Sequence, residues 1–464
     1  MDLELGYINL EELLINLKGK IDFKLIDAGM IRSVYQEYNF KKTKDKIIII
    51  SKNTKKSISI KIPNKIVLDH QMILFFGLYD GDGNKTSQIG FAQNEAHLQN
   101  FVKENLDKLF PDCFEEELTI LEDSKYFESS ELKKKISNNL KKYQEKDNAI
   151  RLAQEEVLKE EYEDRFGKLP DCKIRFVISP LKGARSKGQS SYEIIRNLKG
   201  SKLFLPFFLF LIKEIIDSIT KNKKDSLSGI HWKSKPLESF GFFIDMKKVV
   251  NKISYSNFKG EKCLYDVKSS KENLILKKIN GNEFETYSEP LINPLLSLMF
   301  GLYLAEGTTT KLKFFTFEKE KEVLVIGFNS SESESITVFL SGLKIIFPNL
   351  YDVFDYWLIK VGTKYFPEIN AFSLKTLVPI SRGGKKGQGI SRSTEVSEAL
   401  LKWALTNFPI MEEYKSLFRH IEFTGSGIAR IDLRCKSSAA PLLFSLMRDS
   451  IISNNFIKWV KKNE

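Results

Sequence analysis

Two nine-residue stretches limit what this chain can fold into more than anything else in it: Phe75-Phe76-Gly77-Leu78-Tyr79-Asp80-Gly81-Asp82-Gly83 and Met299-Phe300-Gly301-Leu302-Tyr303-Leu304-Ala305-Glu306-Gly307. Each reads as the last turns of an apolar helix with two small residues four apart, then an acid, then a glycine suited to cap the helix end. Gly77 and Gly81, like Gly301 and Ala305, fall on one helix face. Two such helices can therefore cross with their backbones nearly touching.

The acids turn a packing motif into a chemical one. Asp82 and Glu306 fall at helix C-termini, where the dipole disfavours a carboxylate by a few tenths to about 1 kcal/mol. Pairing the helices adds mutual repulsion. A divalent cation such as Mg²⁺ between the two carboxylates resolves both penalties, because hard cations take carboxylate oxygens together with substrate phosphate oxygens.

The surroundings of the two stretches also repeat. Ile89-Gly90-Phe91, then Asn94-Glu95 and a helix to Phe110-Pro111, parallels Ile326-Gly327-Phe328, then Ser331-Glu332 and a helix to Phe347-Pro348. Asp112-Cys113-Phe114 to Lys125-Tyr126-Phe127 parallels Asp352-Val353-Phe354 to Lys364-Tyr365-Phe366, with the alternation of a half-buried strand. Val177-Ile178-Ser179-Pro180 is matched with Leu377-Val378-Pro379-Ile380, and Lys202 to Phe208 with Lys436 to Leu443, each opening a terminal helix. The lysine-flanked strands from Asn39 to Ile62 resemble the stretch from Asn257 to Ile279. A repeat this long signals a tandem duplication of domains. The expected class is α+β: two pseudo-symmetric domains, each with helix, strands, helix, strands and helix, and each preceded by a small extra module.

The motifs resemble those of the LAGLIDADG endonucleases. The first copy matches that name at its third, fourth, sixth, eighth and ninth letters; the second has Leu304 at the sixth and Glu306 at the eighth, a variant the family also uses. The resemblance covers roughly Pro63 to Thr220 and Glu289 to Ile457. It implies a monomer that cuts both strands of double-stranded DNA, with Asp82 and Glu306 as catalytic, metal-binding acids and Gly77, Gly81, Gly301 and Ala305 as the helix interface. It further implies a basic residue from a central strand near the metal, for which Lys125 and Lys364 stand at matching places and Lys360 nearby. Base readout by a sheet falls to the hairpin of Lys311 to Phe317 and Glu322 to Phe328, with Lys311, Lys313, Thr316 and Glu318 as readers. The first unit leaves room for little more than one strand, Ser87 to Gln93, at that place. Asp80 is read as structural because Leu304 replaces it in the second copy.

The division expected is an accessory module at 1–62, a first domain at 63–222 with a charged helical insertion at 129–169, a linker and second accessory module at 223–288, and a second domain at 289–464. In the insertion, Leu132, Ile136 and Leu140 share a helix face, and Ile150, Val157 and Leu158 supply a facing one, giving a solvated hairpin. Lys+Arg 72 against Asp+Glu 60 gives a net charge of +12 and a pI near 9.1, which favours a polyanionic partner. Cations on two glycine-rich loops suit a phosphate backbone: Lys182, Arg185 and Lys187 in the first unit; Arg382, Lys385 and Lys386 in the second. Cys113, Cys172, Cys263 and Cys435 show no paired spacing, arguing against a disulfide framework or zinc site. No signal peptide is read at the start, and the greasiest run, Leu203 to Ile212, is too short to span a bilayer. A cytoplasmic protein is expected. A non-cutting DNA-binding regulator and an RNA maturase stay open as alternatives on the same fold. An intein is disfavoured, since no Cys or Ser stands at the start and no His-Asn pair at the end.

Overall fold

The computed structural model describes residues 4–27, 30–52, 58–93, 96–143, 148–179, 193–220, 229–233, 241–252, 265–278, 281–315, 320–362, 377–379, 389–391, 394–424 and 429–449. The chain is α+β, with small, mostly antiparallel sheets around two central helices. It opens with β1 (Gly6–Asn9) and α1 (Leu10–Asn16). A meander of β2 (Lys20–Asp27), β3 (Met30–Lys42), β4 (Lys46–Ser51) and β5 (Ser59–Pro63) follows, then β6 (Lys65–Leu68), which pairs with β1 and leads into α2 (His70–Asp82). Period-two alternation builds the meander: Ile47 and Ile49 of β4 and Ile60 and Ile62 of β5 face inward.

The first large sheet contains β7 (Gly90–Gln93), β8 (Glu115–Asp123), β9 (Lys173–Ser179) and β10 (Glu193–Lys199), in the order β7-β10-β8-β9, with β9 parallel to β8. Helix α3 (Ala96–Leu109) follows β7; α4 (Ser130–Leu140) and α5 (Ala149–Phe166) lie between β8 and β9; α6 (Leu205–Thr220) follows β10. Among the described residues, no helix is long and apolar enough to cross a membrane.

Between the two halves lie β11 (Ile230–Trp232), which pairs with the other edge of β1, then β12 (Phe242–Phe243) and α7 (Met246–Lys252). A second meander, β13 (Tyr265–Ser269), β14 (Asn273–Lys278) and β15 (Glu283–Tyr287), leads through β16 (Leu291–Ile292) into α8 (Pro294–Glu306). Here β16 pairs with β12 as β6 does with β1. The last sheet is β17 (Gly307–Phe315), β18 (Glu320–Ser330), β19 (Phe354–Gly362), β20 (Leu377–Pro379), β21 (Gly389–Ser391), β22 (Phe418–Thr424) and β23 (Arg430–Cys435). Its order is β17-β18-β23-β19-β22-β21-β20, and α9 (Ser333–Ile346) follows β18. The run β18-β23-β19-β22 repeats β7-β10-β8-β9 in neighbours and in sense, including the parallel outer strand. Topology therefore matches β9 with β22, not with Leu377–Pro379 as the sequence suggests; that short strand lies at the far edge. Similar apolar-Pro runs misled because a few residues of local pattern carry no information about sheet order.

The meanders are not free-standing. Tyr38 on β3 donates from its hydroxyl to the Leu203 carbonyl at 2.7 Å, and Tyr265 on β13 donates to the Ser438 carbonyl at 2.7 Å. Each tyrosine thus ties a meander to the segment just before a terminal helix. One apolar core runs from Leu5 through both motif helices to Met447.

The charged insertion differs from expectation. Its α4–α5 hairpin forms, but Leu132 and Ile136 join Val157, Leu158 and Tyr162 in a second small core that also contains Leu118 and Ile120 of β8. The hairpin therefore covers a sheet face that would otherwise meet water. Ile150, in the first turn of α5, takes no part in this core and is exposed.

A candidate active site at the ends of two paired helices

Helices α2 and α8 start alike. Asp69 accepts from the Met72 N–H at 2.7 Å and Asn293 from the Leu296 N–H at 3.0 Å, each a side-chain N-cap; Pro294 adds a favoured first residue. Both helices are buried on almost every side, as helices apolar all round must be. They cross at their glycines. A Cβ on Gly77 would lie 2.5 Å from the Leu298 carbonyl oxygen, and one on Gly301 would lie closer still to that of Leu74. One turn on, Gly81 meets the Ala305 methyl. All four interface residues expected from the sequence are thus in the contact. At the opposite end, His70 Nδ1 and Ser297 Oγ lie 2.7 Å apart, and burial holds the imidazole down at about 4.

The capping glycines do their work differently from the left-handed cap their position suggests. Gly83 (φ −69, ψ 150) and Gly307 (φ −71, ψ 144) are extended. Glycine is required there for space, since a Cβ would run into Tyr79 or Tyr303. The chain leaves each helix straight into a strand-like path.

Asp82 and Glu306 are the last residues of the two helices, side by side beyond the Gly81–Ala305 contact. Burial, then the Glu306 charge, then Glu193 raise the Asp82 carboxyl to about 7. Glu306 is raised chiefly by burial, opposed by Lys85 and Arg430. Two half-buried acids at negative helix ends, each pushed toward its protonated form, make a donor set suited to a divalent cation. Among the described residues, no cluster of three or more ligating side chains could hold an ion unaided. Two carboxylates, with substrate phosphate oxygens completing the shell, are what Mg²⁺ commonly uses.

Of the neighbours, Lys360 is expected near the acids from the sequence; Glu332, Lys85, Glu193 and Arg430 are not. Glu332, just before α9, is held above the usual carboxylate range by burial. Lys85, in the loop after α2, places its ammonium 3.9 Å from Asp80 and 3.8 Å from Glu332. Glu193 and Arg430 open β10 and β23 and act on Asp82 and Glu306 respectively. Lys360 on β19 contacts the buried Asp432, which Arg434 also reaches at 2.8 Å; Glu422 stands 3.9 Å from the same lysine. Leu121 pairs with Glu193 where Lys360 pairs with Arg430, so the two sheets present opposite charge at matching places. Arg430 and Glu193 carry no motif, and only strand register brings them to the acids.

Most of the other expected residues fall outside what the structure describes. Lys125 lies in a 3₁₀ turn, Ser124–Glu128, beyond the end of β8 and not on the strand; alternation ran past the strand because Tyr126 and Phe127 continue it. Its side chain lies outside the described residues, as do Lys364, Lys182, Arg185, Lys187, Arg382, Lys385, Lys386, Thr316 and Glu318. Lys311 and Lys313 lie on β17, paired with Leu324 and Glu322 in the expected hairpin, with their side chains outside the described set.

No family model, no curated protein and no solved structure matches this chain.

Proposed function

We propose that this chain is a double-strand DNA endonuclease of the LAGLIDADG type, two related halves in one polypeptide, hydrolysing phosphodiesters with a divalent cation such as Mg²⁺. The observation that carries this reading is the glycine-to-backbone crossing of α2 and α8, which delivers Asp82 and Glu306 together at its open end. The repeated strand order and the twin bonds of Tyr38 and Tyr265 support a common plan for the halves. The net charge of +12 suits a polyanionic substrate.

Asp82 and Glu306 would hold the cation, whose chemistry is to neutralise charge on the attacking and leaving oxygens. The residues of the chain itself orient and desolvate. The crossing glycines hold both acids at one place, so the two carboxylates would act as one centre. Arg430 offers positive charge beside Glu306, while Lys360, its partner across the strands, is held by Asp432. Asn329 donates to the Glu306 carbonyl at 3.1 Å and holds the end of α8 against β18.

The test is cleavage of a randomised duplex library in Mg²⁺ by the wild type and by Asp82→Asn with Glu306→Gln. The expected result is staggered cuts at a defined site, lost in the double variant while salt-sensitive binding remains. Binding without cutting by either protein would point to a regulator. Preference for structured RNA over duplex would point to a maturase.

A further inference from the structure

Lys85 stands out among the charged residues of the site because it is largely covered, basic and shared between the halves. Its side chain is only 10% exposed. It reaches Asp80 on α2 at 3.9 Å and Glu332 before α9 at 3.8 Å. Its charge also acts on Asp82 and Glu306.

The loop that carries it is tightly built. Asn84 accepts from the Thr86 and Ser87 N–H groups at 2.9 and 3.1 Å. The Tyr79 hydroxyl donates to the Asn84 carbonyl at 3.1 Å and accepts from the Gly90 N–H at 3.0 Å. Arg32, on the β2–β3 hairpin of the first accessory module, donates to the Lys85 carbonyl at 2.7 Å. The N-terminal module, tied to Leu203 through Tyr38, thus also braces the backbone that carries Lys85.

A buried ammonium amid carboxylates is retained when it offsets a charge that would otherwise be too costly to bury. Asp80, Asp82, Glu306 and Glu332 come from both halves, and three of them are raised by burial. We propose that Lys85 is the built-in counter-cation of this cluster: it keeps the two halves closed at the acids before metal arrives, and it sets the affinity for the divalent cation by competing with it for the same carboxylate charge. This rests on the metal-dependent reading above. Lys85 is here a positioning residue.

The experiment is Mn²⁺ binding without DNA at pH 8, read by electron paramagnetic resonance of the free ion, for the wild type, Lys85→Met and Lys85→Arg. Removing one positive charge a few ångströms from a divalent ion should tighten Mn²⁺ binding by about tenfold or more in Lys85→Met, with Lys85→Arg near the wild type. A lysine that served only to stabilise the loop would weaken or leave unchanged the metal affinity when removed. Equal or weaker binding by Lys85→Met overturns the proposal and leaves the metal reading standing. Absence of Mn²⁺ binding by all three proteins overturns both. Arg32→Ala, which frees the loop without changing the cluster's charge, is expected to give a smaller tightening in the same direction.

Discussion

Gly77 lies so close to Leu298 that a Cβ would stand 2.5 Å from the carbonyl oxygen of that residue. The obstacle is backbone, which cannot swing aside. Gly77→Ala and Gly301→Ala should each cost about 2–3 kcal/mol, the upper part of the overpacking range. Both act at one crossing, so the double variant should cost less than the sum. Urea midpoints at unchanged slope are the measure, and a loss under about 0.5 kcal/mol for either variant would mean the helices are not in contact there.

Stability of the metal-free protein should depend on pH through Asp82. Its carboxyl is raised from 3.8 to about 7, so between those values the folded chain keeps a proton that the unfolded chain has released. The stability linked to that proton is whole below about pH 4 and is lost as pH rises to 7. Asp82→Asn removes the effect, so the variant should gain in thermal midpoint on the wild type between pH 5 and 8, and Mg²⁺ should narrow the gap at pH 8. A wild-type advantage that grows over that interval would contradict the assignment.

Lys360→Met should be among the more damaging single changes outside the helix crossing. Asp432 is 1% exposed and touches both Lys360 and Arg434. Removing one partner of a buried charge typically costs about 3–5 kcal/mol; Arg434 remains, so about 3 is expected. Lys360→Met with Asp432→Leu should be milder than Lys360→Met alone, as chemical denaturation can show.

Tyr38→Phe and Tyr265→Phe each strip a hydroxyl from a carbonyl that a tight bond now satisfies. A loss of about 1–2 kcal/mol is expected for each. The two sites belong to different meanders and share no partner, so the losses should add within about 0.5 kcal/mol. Strong coupling in a double-variant cycle would show that the meanders act as one unit.

The motif helices were legible because spacing, capping residues and the stopping glycines all name the same element, and close helix crossing has few solutions other than small residues. Asp82 and Glu306 followed from position alone. Lys85 and Glu332 did not, because each is an ordinary charged residue next to an element end, and their meeting depends on how one half is set against the other. Arg430 and Glu193 depend on a strand register that no local pattern encodes. Lysine-flanked repeats point to strands in both accessory modules, but the stretch ending at Ile279 stops short of β15, and the tyrosine bonds that tie the meanders down join residues far apart in the chain. Lys125 was placed on a strand because alternation outlasts the ladder by a few residues.

The crossing of α2 and α8 also bears on how the chain is made. Every contact in it joins segments far apart in the sequence, and the exposed backbone strip along Gly77 and Gly81 has no partner until α8 has been synthesised. At ordinary elongation rates that interval is on the order of tens of seconds. During it, an apolar helix waits with its most adhesive face open. Helix α6 covers only the opposite side of α2, through Phe208 against Phe75 and Tyr79, so the glycine strip stays open to a second nascent copy.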